Sequence, residues 1–311
     1  MKTRDALAEG SAALKAGGID SPSLDASLLM AHVLKTTRAA LLAQGIDALD
    51  NDALAAFRAL IQRRLNGECA AYILGKKEFR GLEFLVNKSV LVPRPETETL
   101  VETAVNILNK KNKDAQTIRV LDLCTGSGAI AVSIKSEMPE AQVWATDISG
   151  QSLETAKINA ARLLQSSAVL FYQGDLFNAL PFNAMSDNSL SNNGLPDKTP
   201  PNDKLPKKQF SLITSNPPYI PTEEIKTLAP EVQNEPLVAL DGGHTGLEII
   251  ERIIEGAPDY LIKNGALLME TAGAKQTEKI AVLLEKRGFT KINTYRDLSG
   301  QERVIEGVYE I

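Results

Sequence analysis

The chain has 311 residues, of which 43% are hydrophobic and 23% charged, a composition typical of globular proteins with a sizeable core. Lysine and arginine number 34 against 39 aspartate and glutamate residues, so the net charge of −5 gives no strong attraction to nucleic-acid phosphates or anionic lipids. The two cysteines, Cys69 and Cys124, belong to no CxxC pair or histidine cluster, which argues against a disulfide framework and against a metal site.

Residues 1–10 lack the apolar core of a signal peptide, and no stretch approaches the roughly 18 apolar residues of a membrane span. We therefore expect a cytoplasmic protein without a membrane partner. Residues 1–70 are rich in alanine and leucine at helical spacing, and Ser21 followed by Pro22 is a typical helix start, so this part predicts a bundle of four to five helices. Residues 71–93 instead alternate around Gly81, which predicts a β-hairpin connector.

From residue 94 to residue 311, predicted strands alternate with predicted helices. The strands are expected at 119–123, 142–146, 169–172, 210–214, 266–269, 292–295 and 304–310, with helices at 96–110, 150–164 and 277–287. This alternation is typical of the α/β class with a doubly wound sheet. Residues 183–209 are dominated by asparagine, serine, aspartate, proline and lysine, which predicts a flexible surface insertion.

The first predicted strand of this sheet leads into a glycine-rich turn, Cys124-Thr125-Gly126-Ser127-Gly128. Such a turn lets the backbone approach a nucleotide-like ligand at a helix N-terminus. Asp147 ends the second strand and could accept hydrogen bonds from both ribose hydroxyls of either NAD or S-adenosylmethionine. Asp122, within the first strand, is placed to face the ammonium of an amino-acid-bearing cofactor, directly or through water. Nicotinamide cofactors have no such group, so Asp122 favours S-adenosylmethionine.

The strongest signal is Asn216-Pro217-Pro218-Tyr219, directly after the fourth predicted strand. The two prolines fix the backbone into a rigid platform at the sheet edge where doubly wound folds bind ligands. The Asn216 amide oxygen and the Pro217 carbonyl are acceptors, and Tyr219 adds an aromatic face, a set suited to a planar NH2 group. We therefore predict Asn216, Pro217 and Tyr219 as catalytic residues, and all four as the substrate-binding motif.

With these motifs the chain resembles the amino methyltransferases that modify adenine, cytosine or glutamine nitrogens, and it is most similar to release factor glutamine methyltransferases. The similarity covers nearly the whole chain and includes Tyr72-Ile73-Leu74-Gly75, Glu78-Phe79, residues 92–98, Glu235-Pro236, residues 239–243, Arg296-Asp297-Leu298 and Glu302-Arg303. It implies a Rossmann-like S-adenosylmethionine-dependent methyltransferase domain with S-adenosylhomocysteine as product. It also implies N5-methylation of the glutamine in the Gly-Gly-Gln loop of peptide-chain release factors. The N-terminal helices would then form the surface on which the release factor docks.

The resemblance also assigns roles by position. The turn at 124–128 would wrap the methionine part of the cofactor, Asp147 would hold the ribose, Asp175-Leu176-Phe177 would lie by the adenine, and Asn216 to Tyr219 would bind the glutamine. The expected cofactor contacts are thus Asp122, Cys124, Thr125, Gly126, Ser127, Gly128, Asp147, Asp175, Leu176 and Asn216.

The chain departs from the family pattern at three positions: Cys124 replaces a common glycine, Leu176 a common aromatic and Cys69 a common proline. The first two changes remove no essential donor or acceptor. Glu270 matches a family acid, and its role stays open.

Two other methylation reactions would present an NH2 group to the same acceptors. Adenine N6 methylation of nucleic acid is one, although the acidic balance and the lack of a basic recognition domain weigh against it. Glutamine methylation of a ribosomal protein is the closer alternative, but residues 94–98 resemble the release-factor branch more. A non-catalytic cofactor-binding regulator would tolerate a broken Asn-Pro-Pro-Tyr motif, which here is intact. We expect no direct nucleic-acid partner, and a monomer.

The roles of three further residues can be weighed from the sequence. Cys124 has no histidine nearby in sequence, so we interpret it as a packed turn residue and not as a nucleophile. For Arg94 and Glu98, orienting a ligand and capping the predicted helix are equally supported.

Overall fold

A computed structural model gives the fold, and it describes residues 1–44, 48–111, 117–164, 168–181 and 208–310. Almost all of the insertion expected at 183–209 therefore lies outside the described residues. In the described N-terminal part, five helices pack together: α1 (Thr3–Ala16), α2 (Pro22–Val33), α3 (Arg38–Gln44), α4 (Asn51–Leu65) and α5 (Ala70–Leu74). Their shared core includes the buried side chains of Leu14, Leu29, Met30 and Phe57.

Polar contacts join this bundle to the rest of the chain. Arg64 of α4 pairs with Asp25 at 2.7 Å inside the bundle and also with Glu231 outside it. Asn234 Nδ2 donates to the carbonyl of Gly67 at 2.9 Å. Because the Arg64 side chain is buried, both of its carboxylate partners satisfy a charge that would be costly to bury alone.

A β-hairpin follows the bundle, formed by β1 (Lys76–Phe79) and β2 (Leu82–Leu85). Its two-residue turn places Arg80 at φ 51° and Gly81 at φ 73°, and positive φ at both central residues is what a tight hairpin turn of this type requires. Phe79 and Phe84 meet edge to face, with ring centroids 6.0 Å apart. The expected hairpin is thus present, and it packs its aromatic side chains inward.

Seven strands of the described chain form one sheet: β3 (Arg119–Leu123), β4 (Gln142–Asp147), β5 (Val169–Gln173), β6 (Phe210–Ser215), β7 (Leu261–Glu270), β8 (Phe289–Arg296) and β9 (Glu302–Tyr309). Their order is β5-β4-β3-β6-β7-β9-β8, and only β9 runs against the other strands. The order reverses between β3 and β6, which lie side by side. Open α/β sheets bind ligands at the carboxyl ends of the strands at such a switch point.

The other α-helices of the described chain are α6 (Glu98–Lys111), α7 (Ala129–Glu137), α8 (Gly150–Leu163), α9 (Pro230–Gln233), α10 (Glu248–Gly256) and α11 (Ala274–Lys286). Apolar residues of α6, α7 and α8 form one core against the sheet, and those of α10 and α11 form another. Helices on both faces of a mostly parallel sheet confirm the predicted doubly wound α/β fold with its helical bundle and hairpin. None of the described helices has the length and apolar character needed to cross a membrane.

Candidate active site

The glycine-rich turn after β3 adopts a backbone conformation that few residue types tolerate. Cys124, Gly126 and Gly128 have φ values of 58°, 57° and 81°. At Gly128, which directly precedes α7, a Cβ would also lie 3.2 Å from the Cβ of Ala156. Cys124 therefore occupies a left-handed position that glycine would accept without strain.

Asp122 lies behind this turn and not in the space in front of it. Its fully buried carboxylate accepts hydrogen bonds from Thr125 Oγ1 at 2.6 Å and Thr214 Oγ1 at 2.9 Å. Burial raises the pKa of Asp122 to about 7, because desolvation outweighs these two hydrogen bonds. The sequence predicts that Asp122 faces a ligand directly or through water; in the structure its side chain contacts Thr125 and anchors the turn, and it is not part of the cavity lining.

Asp147, at the end of β4, spans the turn from the other side. One carboxylate oxygen accepts from the Gly126 amide at 2.8 Å and the other from the Ser149 amide at 2.9 Å. Burial raises the pKa of Asp147. The neighbouring Thr146 lines the same space, and its buried hydroxyl has no hydrogen-bond partner among the described residues.

A cavity of about 610 Å³ lies in front of the turn, within the range of small-molecule sites. Of the predicted site residues, its lining contains Cys124, Thr125, Gly126, Ser127, Asp147, Asp175, Leu176, Asn216 and Pro218. Asp122, Gly128, Pro217 and Tyr219 lie outside the lining. The lining also includes Leu91, Pro93 and Thr97, which the sequence did not indicate, and Arg94, for which ligand orientation was one of two equally supported roles.

Two features shape the cavity rim near residues 175 and 148. Asp175 pairs with Arg252 of α10 at 2.5 Å, and both side chains are close to half exposed. Leu176 is buried with φ 49°, while Ile148 lines the cavity with 55% of its surface exposed. An exposed apolar side chain beside a polar rim suits the face of a planar ligand.

A chain of hydrogen bonds runs from the Asn-Pro-Pro-Tyr motif to the end of β7. Asn216 Nδ2 donates to Thr97 Oγ1 at 3.3 Å, and Thr97 Oγ1 donates to Glu270 Oε2 at 2.6 Å. Tyr219 Oη donates to Glu270 Oε1 at 3.2 Å. Glu270 is only 1% exposed, and burial raises its pKa to about 7. Burial, with the Glu270 charge beside it, raises the pKa of Tyr219 as well.

These contacts define how the Asn216 amide is oriented. A threonine hydroxyl has one proton, and Thr97 gives it to the Glu270 carboxylate. Thr97 can then only accept from Asn216, so the amide nitrogen faces Thr97 and the amide oxygen is left for a ligand. No residue of the described chain donates to that oxygen. Asn216 therefore presents an acceptor to the cavity that it lines.

The two residues with open roles, Arg94 and Glu98, lie in different places. Arg94 lines the cavity and pairs with the buried carboxylate of Glu235, whose other oxygen accepts from the Val92 amide at 3.0 Å. Burial raises the pKa of Glu235. Glu98 instead accepts from the Arg80 amide at 3.2 Å in the hairpin turn. Arg94 thus belongs to the site and Glu98 to the scaffold.

A glycine-rich turn, an acidic strand end and an Asn-Pro-Pro-Tyr motif around one cavity at a sheet switch point define a Rossmann-like methyltransferase. Residues 5–75 match the family model described as PrmC N-terminal domain, and residues 114–281 match the one described as Methyltransferase domain. The solved hMettl16 catalytic domain in complex with MAT2A 3′UTR hairpin 6 has a TM-score of 0.54 and 14% identity, and the match covers 79% of this chain and 84% of that one. This likeness shows a shared fold.

Two curated relatives place the chain more narrowly. The release factor glutamine methyltransferase of Bordetella pertussis is 40% identical over 286 residues, which cover 92% of this chain and 94% of the relative. That of Neisseria gonorrhoeae is 38% identical over 288 residues, which cover 93% and 94%. The protein belongs to the release factor glutamine methyltransferase family, which confirms the resemblance found in its sequence.

Proposed function

We propose that the protein methylates the side-chain nitrogen of the glutamine in the Gly-Gly-Gln loop of peptide-chain release factors, with S-adenosylmethionine as methyl donor. Family membership supports the reaction class and the substrate. The proposal depends above all on the orientation of the Asn216 amide. Its oxygen is free to accept a hydrogen bond from an NH2 group, and Asn216 lines the same cavity as the glycine-rich turn.

The residues that line the cavity suit the parts of the methyl donor. Gly126 and Ser127 offer backbone at a helix N-terminus, and Asp147 offers a carboxylate suited to a ribose diol. The Thr146 hydroxyl, to which no described residue is hydrogen-bonded, gives a further polar contact in the lining. Asp175, Leu176 and the exposed Ile148 form the end suited to a planar base. Asp122 would act through the turn that it anchors, by way of Thr125.

When bound, S-adenosylmethionine supplies an electrophilic methyl group on a sulfonium. The glutamine amide nitrogen is a poor nucleophile because its lone pair is delocalised, so Asn216 and Pro217 serve to orient it in line with the methyl carbon. Their oxygens accept from the amide N–H groups and stabilise the positive charge that grows on nitrogen as the new N–C bond forms and the C–S bond breaks. Alignment of this kind can lower a barrier by about 7–11 kcal/mol. Methylation makes the N–H acidic, so its proton can leave afterwards.

The helical bundle is the proposed docking surface for the release factor. Residues 5–75 match the family's N-terminal domain model, and Arg64 and Asn234 hold the bundle against the segment that follows the Asn-Pro-Pro-Tyr motif. A loop on a large protein must reach the cavity while the protein itself is held outside it, and a bundle held beside the cavity-forming domain by these contacts provides that surface.

The proposal is tested by transfer of labelled methyl from S-adenosylmethionine to purified release factor. A release factor with Gly-Gly-Ala in place of Gly-Gly-Gln is the matched control, and DNA and ribosomal protein are offered as competing substrates. We expect label on the wild-type release factor alone. Label on DNA or on a ribosomal protein, and none on the release factor, would refute the proposed substrate but not the fold or the methyl donor.

A further inference from the structure

We propose that Glu270 is a positioning residue that, through Thr97, sets which end of the Asn216 amide faces the substrate, so that methylation requires an ionised Glu270. This inference rests on the proposed function, since it specifies how Asn216 is kept as an acceptor. The three side chains come from distant parts of the chain: Glu270 ends β7, Thr97 precedes α6 and Asn216 follows β6.

The ionised carboxylate gives the hydrogen bonds one consistent direction. Both of its oxygens are acceptors, so Thr97 and Tyr219 each turn a hydroxyl proton toward it, at 2.6 Å and 3.2 Å. Thr97 is then an acceptor for the Asn216 NH2 group, and Asn216 Oδ1 is left for the substrate.

A proton on Glu270 Oε2, the carboxyl oxygen that Thr97 contacts, reverses that direction. The carboxyl group then donates through Oε2 to Thr97, and the Thr97 proton must turn to its other neighbour, Asn216. Asn216 can accept it only by rotating its amide, which brings its NH2 group toward the substrate. Two NH2 groups would then face each other as donors, so the glutamine loses the acceptor that orients its nitrogen.

The surroundings of Glu270 allow this change near neutral pH. Thr97 and Tyr219 contact it directly, while Arg303 of β9 and Glu96 act on it from farther away with opposite signs. Arg303 is itself engaged with Asp297 at 3.0 Å, and no cation of the described chain forms an ion pair with Glu270. Burial dominates and raises the pKa of Glu270 to about 7.

The first test is the pH profile of kcat at saturating release factor and S-adenosylmethionine. We expect wild-type kcat to rise through neutral pH with an acidic limb near pH 7, and Glu270→Gln to lower kcat and remove this limb, since glutamine does not titrate. An unchanged acidic limb in Glu270→Gln would overturn the proposal. Wild-type labelling of the Gly-Gly-Gln loop tests the proposed function separately, so the two failures are distinguishable.

The second test distinguishes an effect on folding from the loss of the hydrogen-bond relay that runs from Glu270 through Thr97 to Asn216. Thr97→Val removes the hydroxyl at nearly constant volume, and we expect kcat to fall roughly 10- to 100-fold, the usual worth of a hydrogen bond to a charged group. Thr97→Ser should restore the activity, because it keeps the hydroxyl. Thr103→Val, on the buried face of α6 and outside the cavity lining, is the matched control. S-adenosylhomocysteine should bind all variants with equal affinity in calorimetry; equal kcat for Thr97→Val and wild type would contradict the relay.

Discussion

Asn159 of α8 binds both backbone polar groups of Leu85 in the hairpin, accepting from its amide at 2.7 Å and donating to its carbonyl at 3.0 Å. The same side-chain nitrogen donates to the carbonyl of Ser127 in the glycine-rich turn at 2.9 Å. Asn159 is fully buried, so one side chain ties the hairpin to the turn that lines the cavity.

Replacing Asn159 by alanine is expected to lower the free energy of unfolding by about 2–4 kcal/mol, because the buried carbonyl of Ser127 and two part-buried backbone groups of Leu85 lose their partner. Urea unfolding followed by circular dichroism measures it. Glu154→Ala, on the exposed side of the same helix, is the control and should change stability by less than about 1 kcal/mol. Equal effects of the two substitutions would show that the Asn159 hydrogen bonds contribute nothing.

Asn216→Ala is expected to retain binding of S-adenosylhomocysteine and to lose most turnover. It removes an acceptor that strengthens as charge develops, an effect worth about 10²–10³ in kcat for comparable groups. Calorimetry and labelled methyl transfer measure the two quantities on the same preparation. Turnover near the wild-type value would refute the acceptor role of Asn216.

For Tyr219, the ring and the hydroxyl make separable contributions. Tyr219→Phe should reduce kcat less than Tyr219→Ala, because phenylalanine keeps the aromatic face. It should also shift the acidic limb of the pH profile upward, since Glu270 loses a donor that favours its ionised form. Equal losses for the two variants would count against a role for the ring.

Stability should fall as the pH rises from about 4 to 7. Burial raises the folded-state pKa of Asp122 from 3.8 to about 7, and Glu270 shifts in the same direction. The folded protein therefore binds more protons than the unfolded chain in this window. Each of the two groups contributes its full stabilisation below its unfolded-state pKa, and this contribution is lost as the pH rises to its folded-state pKa. Urea midpoints at pH 5 and pH 8 test this, and Asp122→Asn should narrow the difference between them.

Local patterns in the sequence predicted the strands of the sheet. Strand β3 was expected at 119–123 and is found at Arg119–Leu123, where the apolar side chains of Val120, Leu121 and Leu123 are fully buried. Strand β7 was expected only from Ala266 but begins at Leu261, where pairing with Phe210 of β6 extends it past polar residues. Such pairing depends on a neighbour far along the chain and leaves no local pattern.

The same distinction applies to the site. The rigid Asn216 turn follows from two adjacent prolines, which act locally. The contact between Thr97 and Glu270 joins residues 173 positions apart and depends on the strand order, so the sequence left Glu270 without a role. Asp122 likewise finds Thr214 only because β3 and β6 are neighbours.

The cavity is built jointly by two regions of the chain. Leu91, Pro93 and Arg94 form one wall, whereas the matched methyltransferase domain spans only residues 114–281. A ligand held between these parts binds their joined arrangement and neither part alone, so its binding free energy adds to the free energy that holds them together. If the cavity holds the methyl donor as proposed, its binding therefore couples the opening of residues 91–94 to that of the sheet, and it stabilises the contact between the sheet and the segment that leads back to the helical bundle.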